Sequence, residues 1–240
     1  MNNALIYPEI FNSSGITAFF TGRTVGIDKT KFPLPQNPEP MLYMPVQRHT
    51  NTVIIIRKGS NLAELDLGRI GDAVVTDRAD VVAGVRTADC VPILLYDSVM
   101  AVAGAVHAGW RGTGKGILKA VINIFIEDFG TKPKDILIAF GPSIRGCCYV
   151  VGEEVVEAVT LESGKGDYIT EKDGRPYVDL VGANTAQALS LGVRRENIWT
   201  SGSCTFCDSE YFFSFRKEGT LRGSQGAFIS ASPHKREYKE

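Results

Sequence analysis

Three short segments place reactive side chains at the ends of apolar runs. His49 precedes the run at 52–57, Cys90 follows Asp89 just ahead of the run at 92–96, and His107 closes the run at 100–106 before a glycine-rich turn. Loops at strand ends are where a rigid scaffold usually carries its function. Two imidazoles and one thiol suit a borderline-soft ion such as zinc, and catalytic zinc sites use three protein ligands and keep a fourth position open. Positions 49, 90 and 107 form no compact zinc signature, so spacing alone leaves the set open. It reads either as a metal site or as two ordinary histidines with a buried cysteine. A further reading makes Cys90 a nucleophile with His107 as its base.

The remaining cysteines are 147, 148, 204 and 207. Cys204-Thr-Phe-Cys207 reads in one way as half of a structural zinc site, with no second CxxC or paired histidine in the sequence to complete it. Redox pair and two buried thiols are the other readings, and the last is the expectation. Adjacent cysteines rarely bridge one another, so Cys147 and Cys148 are expected to face a pocket and the core respectively or in reverse. The turn at 109–116 offers backbone amides, Arg111 and Lys115 to an anion. It fails the GxxxxGK[ST] frame, and a tight turn with surface bases is the alternative. Arg216 and Arg222, around Gly219, are a further anion clamp or simply solvated charges.

These groups need strands and helices to hold them. Short β-branched runs bounded by Gly, Asp and Pro predict strands at 52–57, 73–76, 81–86, 92–96, 100–106, 136–140, 211–215 and 226–230. Helical spacing of Ile117, Leu118, Val121, Ile122, Phe125 and Phe129 predicts a helix over 114–129, capped by Thr113 and stopped by Gly130. Helices are also predicted over 151–162 and from an Asp179 cap to Leu191, ended by Gly192. Residues 1–50 are weakly patterned, and five prolines make 30–45 an extended loop. Strands and helices do not alternate regularly, which favours a compact α+β domain over a doubly wound sheet.

Composition bounds the rest. The 240 residues suit one large domain, expected here as a single unit over 1–240 with a divergent part at 1–46 and a frayed tail at 233–240. A net charge of −1 gives no footprint for nucleic acid or a membrane surface. No basic, then apolar, leader opens the chain, and no run approaches a membrane span. The odd number of cysteines argues against a disulfide framework and for a reducing, cytoplasmic setting. No expectation for oligomeric state follows.

Taken together the segments resemble the YfiH-type laccase-domain family, also labelled multicopper polyphenol oxidoreductase or purine nucleoside phosphorylase. The matching stretches are Gln47-x-His49, DAVVT at 72–76, RTADCVP at 86–92 and HAGWRGT at 107–113, the last close to diagnostic. GPSIRGCCYVVGEEV at 141–155, Asp179-Leu180, CTFC at 204–207 and FFSFR at 212–216 follow in the family's order. The chain departs from the pattern at Thr50, where the family has Gly, at Arg145-Gly146 for Gly-Pro, and at Thr220-Leu-Arg222 for Thr-Gly-Arg. Its opening matches only at Phe20-Thr-Gly-Arg23.

The resemblance implies a layered α/β/β/α fold around mixed β-sheets and one catalytic zinc on His49, Cys90 and His107. It also implies phosphorolysis of purine nucleosides, with adenosine deaminase and methylthioadenosine phosphorylase activities. Purine nucleosides and phosphate are then the small-molecule partners. Zinc would activate a water for deamination, with Asp89 as proton shuttle or as a group that orients a ligand. Arg48 and Arg111 are the expected substrate clamps, because they neighbour the ligands; Arg23, Arg216 and Arg222 are further candidates. Editing of peptidoglycan precursors, by zinc or a Cys–His pair, is the alternative. Polyphenol oxidation by several coppers is disfavoured, because copper prefers imidazole and the chain has 3 His in all, one of them His234.

Overall fold

The computed structural model describes residues 4–14, 16–34, 39–220 and 222–233. The tail from His234 onward, expected to fray, and residues 35–38 of the Pro-rich loop lie outside them. In chain order come β1 (Leu5–Ile6), β2 (Ile16–Thr21), β3 (Met41–Tyr43), β4 (Val53–Ile56), β5 (Ala73–Thr76), β6 (Val81–Thr87), β7 (Val91–Asp97) and β8 (Val102–Ala108). Then follow α1 (Trp110–Thr113), α2 (Ile117–Phe129), β9 (Leu137–Phe140), α3 (Glu153–Ser163), β10 (Ile169–Lys172), β11 (Arg175–Val178), α4 (Leu180–Ser190), β12 (Ile198–Thr200), α5 (Phe215–Glu218) and β13 (Gln225–Pro233).

Among the described residues a mixed six-stranded sheet runs β12-β9-β7-β8-β5-β4, and a mixed five-stranded sheet runs β1-β2-β13-β6-β3. A hairpin, β10-β11, stands apart. The two large sheets pack face to face. Period-two alternation explains how: on β8, Val102, Val106 and Ala108 join the core under the helices, while Ala103 and Ala105 join the core between the sheets. Both faces of β7 and β8 are thus dry, which is why they read as continuous apolar runs. Helices α2, α3 and α4 cover the outer face of the six-stranded sheet. The outer face of the five-stranded sheet is covered by Val25, Phe32 and their neighbours, with a short 3₁₀ turn at Lys29–Lys31. The fold class is therefore the expected layered α/β arrangement with mixed sheets.

Helix α2 buries Ile117, Leu118, Val121, Ile122 and Phe125 as its spacing predicts. Full burial of each such side chain is worth about 1.5–3 kcal/mol. Its start differs from expectation. Gly116 takes a left-handed φ of +70° and breaks the helix from the one-turn α1. Thr113 ends α1 instead of capping α2, and its Oγ1 accepts from Asn184 Nδ2 at 2.9 Å. Gly130, Asp179 and the glutamates of α3 fall where predicted: Gly130 is a left-handed C-cap, and Asp179 accepts from Val181 N.

Two further expectations fail for physical reasons. Residues 211–215 are not a strand: Ser214 caps α5, and the Gln225 side chain bonds both Phe213 N and O, supplying the partners a neighbouring strand would give. The described residues among the first fifty hold more regular structure than their pattern suggests. Strand β2 lies inside the five-stranded sheet with Phe19 on one core and Phe20 on the other, so no polar face marks it.

Candidate metal centre and active site

The site forms where strand ends of the six-stranded sheet meet. In the β5–β8 register Ala73 sits opposite Val106, so Asp72, just before β5, lies beside His107, whose N donates to Asp72 O at 2.8 Å. In the β7–β8 register Val91 sits opposite Ala108, so Cys90 comes level with Gly109. His49 enters from the loop before β4, the neighbour of β5. The β6–β7 connection crosses from one large sheet to the other through Ala88, Asp89 and Cys90.

These registers bring the donor atoms of His49, Cys90 and His107 within 4.8 Å of one another. His49 Nε2 lies 3.8 Å from Cys90 Sγ, and the two rings meet edge to face with centroids 4.8 Å apart. Gly109 makes room for the cluster: a Cβ there would lie 2.8 Å from Cys90 Sγ and 3.0 Å from His49 Cδ2. Two imidazole nitrogens and one sulfur, packed this closely with no fourth protein donor among them, fit a borderline-soft ion with an open position.

Sequence reasoning missed the residue that builds the site. Asp72 is fully buried and its carboxylate accepts from His107 Nδ1 at 2.8 Å. It also accepts from the N–H groups of Arg48, His49 and Thr50 and from Thr50 Oγ1. One carboxylate thus fixes the ring of His107 and the loop of His49. This holds His49 at a φ of +57°, a region non-glycine residues rarely enter. The available signal was an acid set directly before a buried strand, in DAVVT. Gln47 assists by exchanging two hydrogen bonds with the backbone of Arg86 on β6. It ties the His49 loop to the second sheet.

The electrostatics are those of a charged triad. Burial pushes Asp72 up, but hydrogen bonds from His107 and Thr50 outweigh it and hold its carboxyl well below the usual carboxylate range. Burial likewise raises the Cys90 thiol, yet the His107 and His49 imidazoles bring it down to about 6. Burial lowers His107, while the Cys90 thiolate and Asp72 raise it to about 9. The downward shift of Cys90 favours its thiolate, the form that ligates metal.

A cleft of about 530 Å³ opens over the triad, within the usual range for a small-molecule site. Trp110, Tyr149 and Phe215 give it aromatic walls, and Arg86, Arg111 and Arg216 bring positive charge. Burial pushes the Tyr149 phenol up to about 12, helped by the nearby Cys90 charge. Arg111 stacks over Trp110 and Arg216 over Tyr149, at 4.3 and 5.0 Å from the ring centroids. Both arginines also line a second cleft that adjoins the first.

The remaining site expectations divide. Arg111 lines the cleft, whereas the exposed Arg48 does not, and its contribution is its N–H to Asp72. Asp89 reaches the wall, but Thr205 Oγ1 and Arg216 N, each at 2.6 Å, occupy its two carboxylate oxygens. Its φ of +84° is a strained value that these bonds sustain. Arg23 turns away to Glu218 and Phe212 O. Among the described residues no helix is long and apolar enough to cross a membrane.

Comparison with known proteins agrees with this fold. Residues 30–232 match the family model described as multi-copper polyphenol oxidoreductase laccase. A purine nucleoside phosphorylase of Clostridium acetobutylicum is 39% identical over 186 residues, covering 76% of this chain and 74% of the relative. An adenosine deaminase from an unknown prokaryotic organism is 38% identical, covering 76% and 72%. Among solved structures, the YfiH protein of Bacillus licheniformis superposes with a TM-score of 0.81 at 25% identity, covering 95% and 96%. YlmD of Geobacillus stearothermophilus gives 0.80 at 27% identity, covering 92% and 93%. With sheets, site and sequence in agreement, the chain belongs to the multi-copper polyphenol oxidoreductase laccase family, whose YfiH and YlmD members share its fold.

Proposed function

We propose that this chain is a zinc-dependent purine nucleoside phosphorylase, acting as a single domain in the cytoplasm. The observation that carries the reading is the His49–Cys90–His107 cluster beneath an aromatic cleft rimmed by Arg111 and Arg216. Several relatives named purine nucleoside phosphorylase support it. Bound at the three donors, zinc would supply Lewis-acid polarisation of a substrate oxygen or nitrogen.

The chain's own groups perform the rest. Trp110, Tyr149 and Phe215 sandwich the purine and exclude water. Arg111 and Arg216 hold phosphate, because guanidinium matches its oxygens in pairs. A phosphate oxygen then bonds to C1′ as the glycosidic C1′–N9 bond breaks. The purine leaves with the bonding electrons and takes a proton, giving free base and ribose 1-phosphate. Tyr149, held protonated, donates a hydrogen bond toward the departing base. Asp89 acts by position: with both oxygens occupied, it sets the turn that presents Cys90 and the start of α5. Deamination of adenosine and phosphorolysis of methylthioadenosine are further reactions of the same cleft, the first supported by the relative named adenosine deaminase.

Purified protein should release free base from adenosine, inosine or methylthioadenosine only when phosphate is present, and Cys90→Ala should lose that release. No turnover by metal-loaded protein sinks the nucleoside reading and moves peptidoglycan-precursor editing forward. A three-donor set serves one ion, which leaves the family's copper label without the imidazoles a multicopper array needs.

A further inference from the structure

The half site in CTFC is completed by the paired cysteines, which no spacing in the sequence foretells. The sulfur atoms of Cys147, Cys148, Cys204 and Cys207 all lie within 4.8 Å of one another. Cys207 Sγ is 3.8 Å from Cys147 Sγ and 3.3 Å from Cys148 Sγ. Tetrahedral thiolates at a zinc–sulfur distance near 2.3 Å would stand about 3.8 Å apart. Cys204 is buried, but Cys207 is exposed, so the expectation of two buried thiols fails for that residue.

The fold explains the meeting. β9 and β12 are parallel neighbours, and the chains leaving them stay paired through a Ser143–Cys204 bridge. One exit turns back at Cys147-Cys148, where the N–H groups of Cys148 and Tyr149 donate to Arg145 O. The other turns at Cys204–Cys207, where Asp208 N donates to Cys204 O.

We propose that Cys147, Cys148, Cys204 and Cys207 form a second, closed tetrathiolate site for a structural zinc ion, separate from the His49–Cys90–His107 centre. Four protein ligands leave no open position, which marks a structural site and not a catalytic one. The ion staples two turns whose cysteines are 59 residues apart, one of them in a stretch from 201 to 214 without helix or strand. Such closure stabilises the fold directly, because the unfolded chain offers no preformed site.

The staple reaches the cleft from two sides. Tyr149 follows Cys148 directly. Thr205, inside the CTFC turn, donates to Asp89, which precedes Cys90. The four cysteines are therefore positioning residues for the cleft and touch no substrate.

The test is metal content and cobalt spectroscopy on protein purified anaerobically. Wild type should hold about two equivalents of zinc, and Cys90→Ala about one. Cobalt(II) loaded into Cys90→Ala should give the intense, long-wavelength absorption of a tetrathiolate site. Cys207→Ser should lose that spectrum and melt earlier. Should Cys207→Ser not fold, the Cys90→Ala protein decides alone. Absence of zinc and of a tetrathiolate cobalt spectrum in Cys90→Ala, or a Cys148–Cys207 disulfide by mass spectrometry, overturns the proposal. The result is independent of whether nucleosides are the substrate.

Discussion

Asp72 does the work of several residues at once, and its charge makes the site sensitive to acid. Its folded value lies below the unfolded value near 3.9, so it stabilises the protein above about pH 4, and that stabilisation is lost as pH falls. Asp72→Asn would place an amide nitrogen against N–H and O–H donors, at a cost of about 1–3 kcal/mol for each donor left unpaired. Denaturant melts between pH 3 and 7 should show a lower and flatter acid limb for the variant. An unchanged slope would remove Asp72 from the account. Metal affinity should fall about 10–100-fold, the usual effect of losing a partner that orients a ligand. The arginines separate by the same reasoning. Arg216→Ala should raise KM for phosphate about tenfold or more, since a charged hydrogen bond is worth about 1.5–3 kcal/mol. Arg48→Ala, whose side chain lies outside the cleft, should leave KM nearly unchanged, and equal effects would contradict the assignment.

At the scale of elements, register carries the chemistry. The β7–β8 pairing sets Cys90 beside Gly109, and that glycine's φ of −75° suits any residue, so only space excludes a side chain. Gly109→Ala should keep the fold and weaken metal binding about tenfold or more, because the new methyl group displaces Cys90 and His49. Titration with a competing chelator measures this, and full affinity in the variant would sink the argument.

The same scale shows what the sequence made legible. Strands β5 to β9 and helix α2 announce themselves by apolar runs and helical spacing. His49, Cys90 and His107 stand out because polar groups interrupt those runs. Asp72 escaped because its partners are backbone N–H groups 22 to 24 residues away, and His107 is 35 away. Strand β2 escaped because burial on both faces erases alternation. The loss of the strand at 211–215 depends on a tertiary contact, the Gln225 side chain on Phe213, which local pattern does not encode.

Across the whole molecule, two sheets meet back to back and the site sits where chain crosses between them. His107 and Cys90 belong to the six-stranded sheet, Gln47 grips β6 of the other, and Asp89 spans the crossing. The candidate metal centre is thus braced by both sheets, while the aromatic and basic walls come from α1 after β8, from Tyr149 after β9, from α5 after β12 and from Arg86 on β6. The most direct measurement strips the metal with a chelator and titrates zinc back while following phosphate-dependent release of free base from a purine nucleoside. Activity should return in proportion to zinc bound at His49, Cys90 and His107, and Cys90→Ala should never recover. Full activity in the stripped protein, or equal recovery by Cys90→Ala, would contradict it.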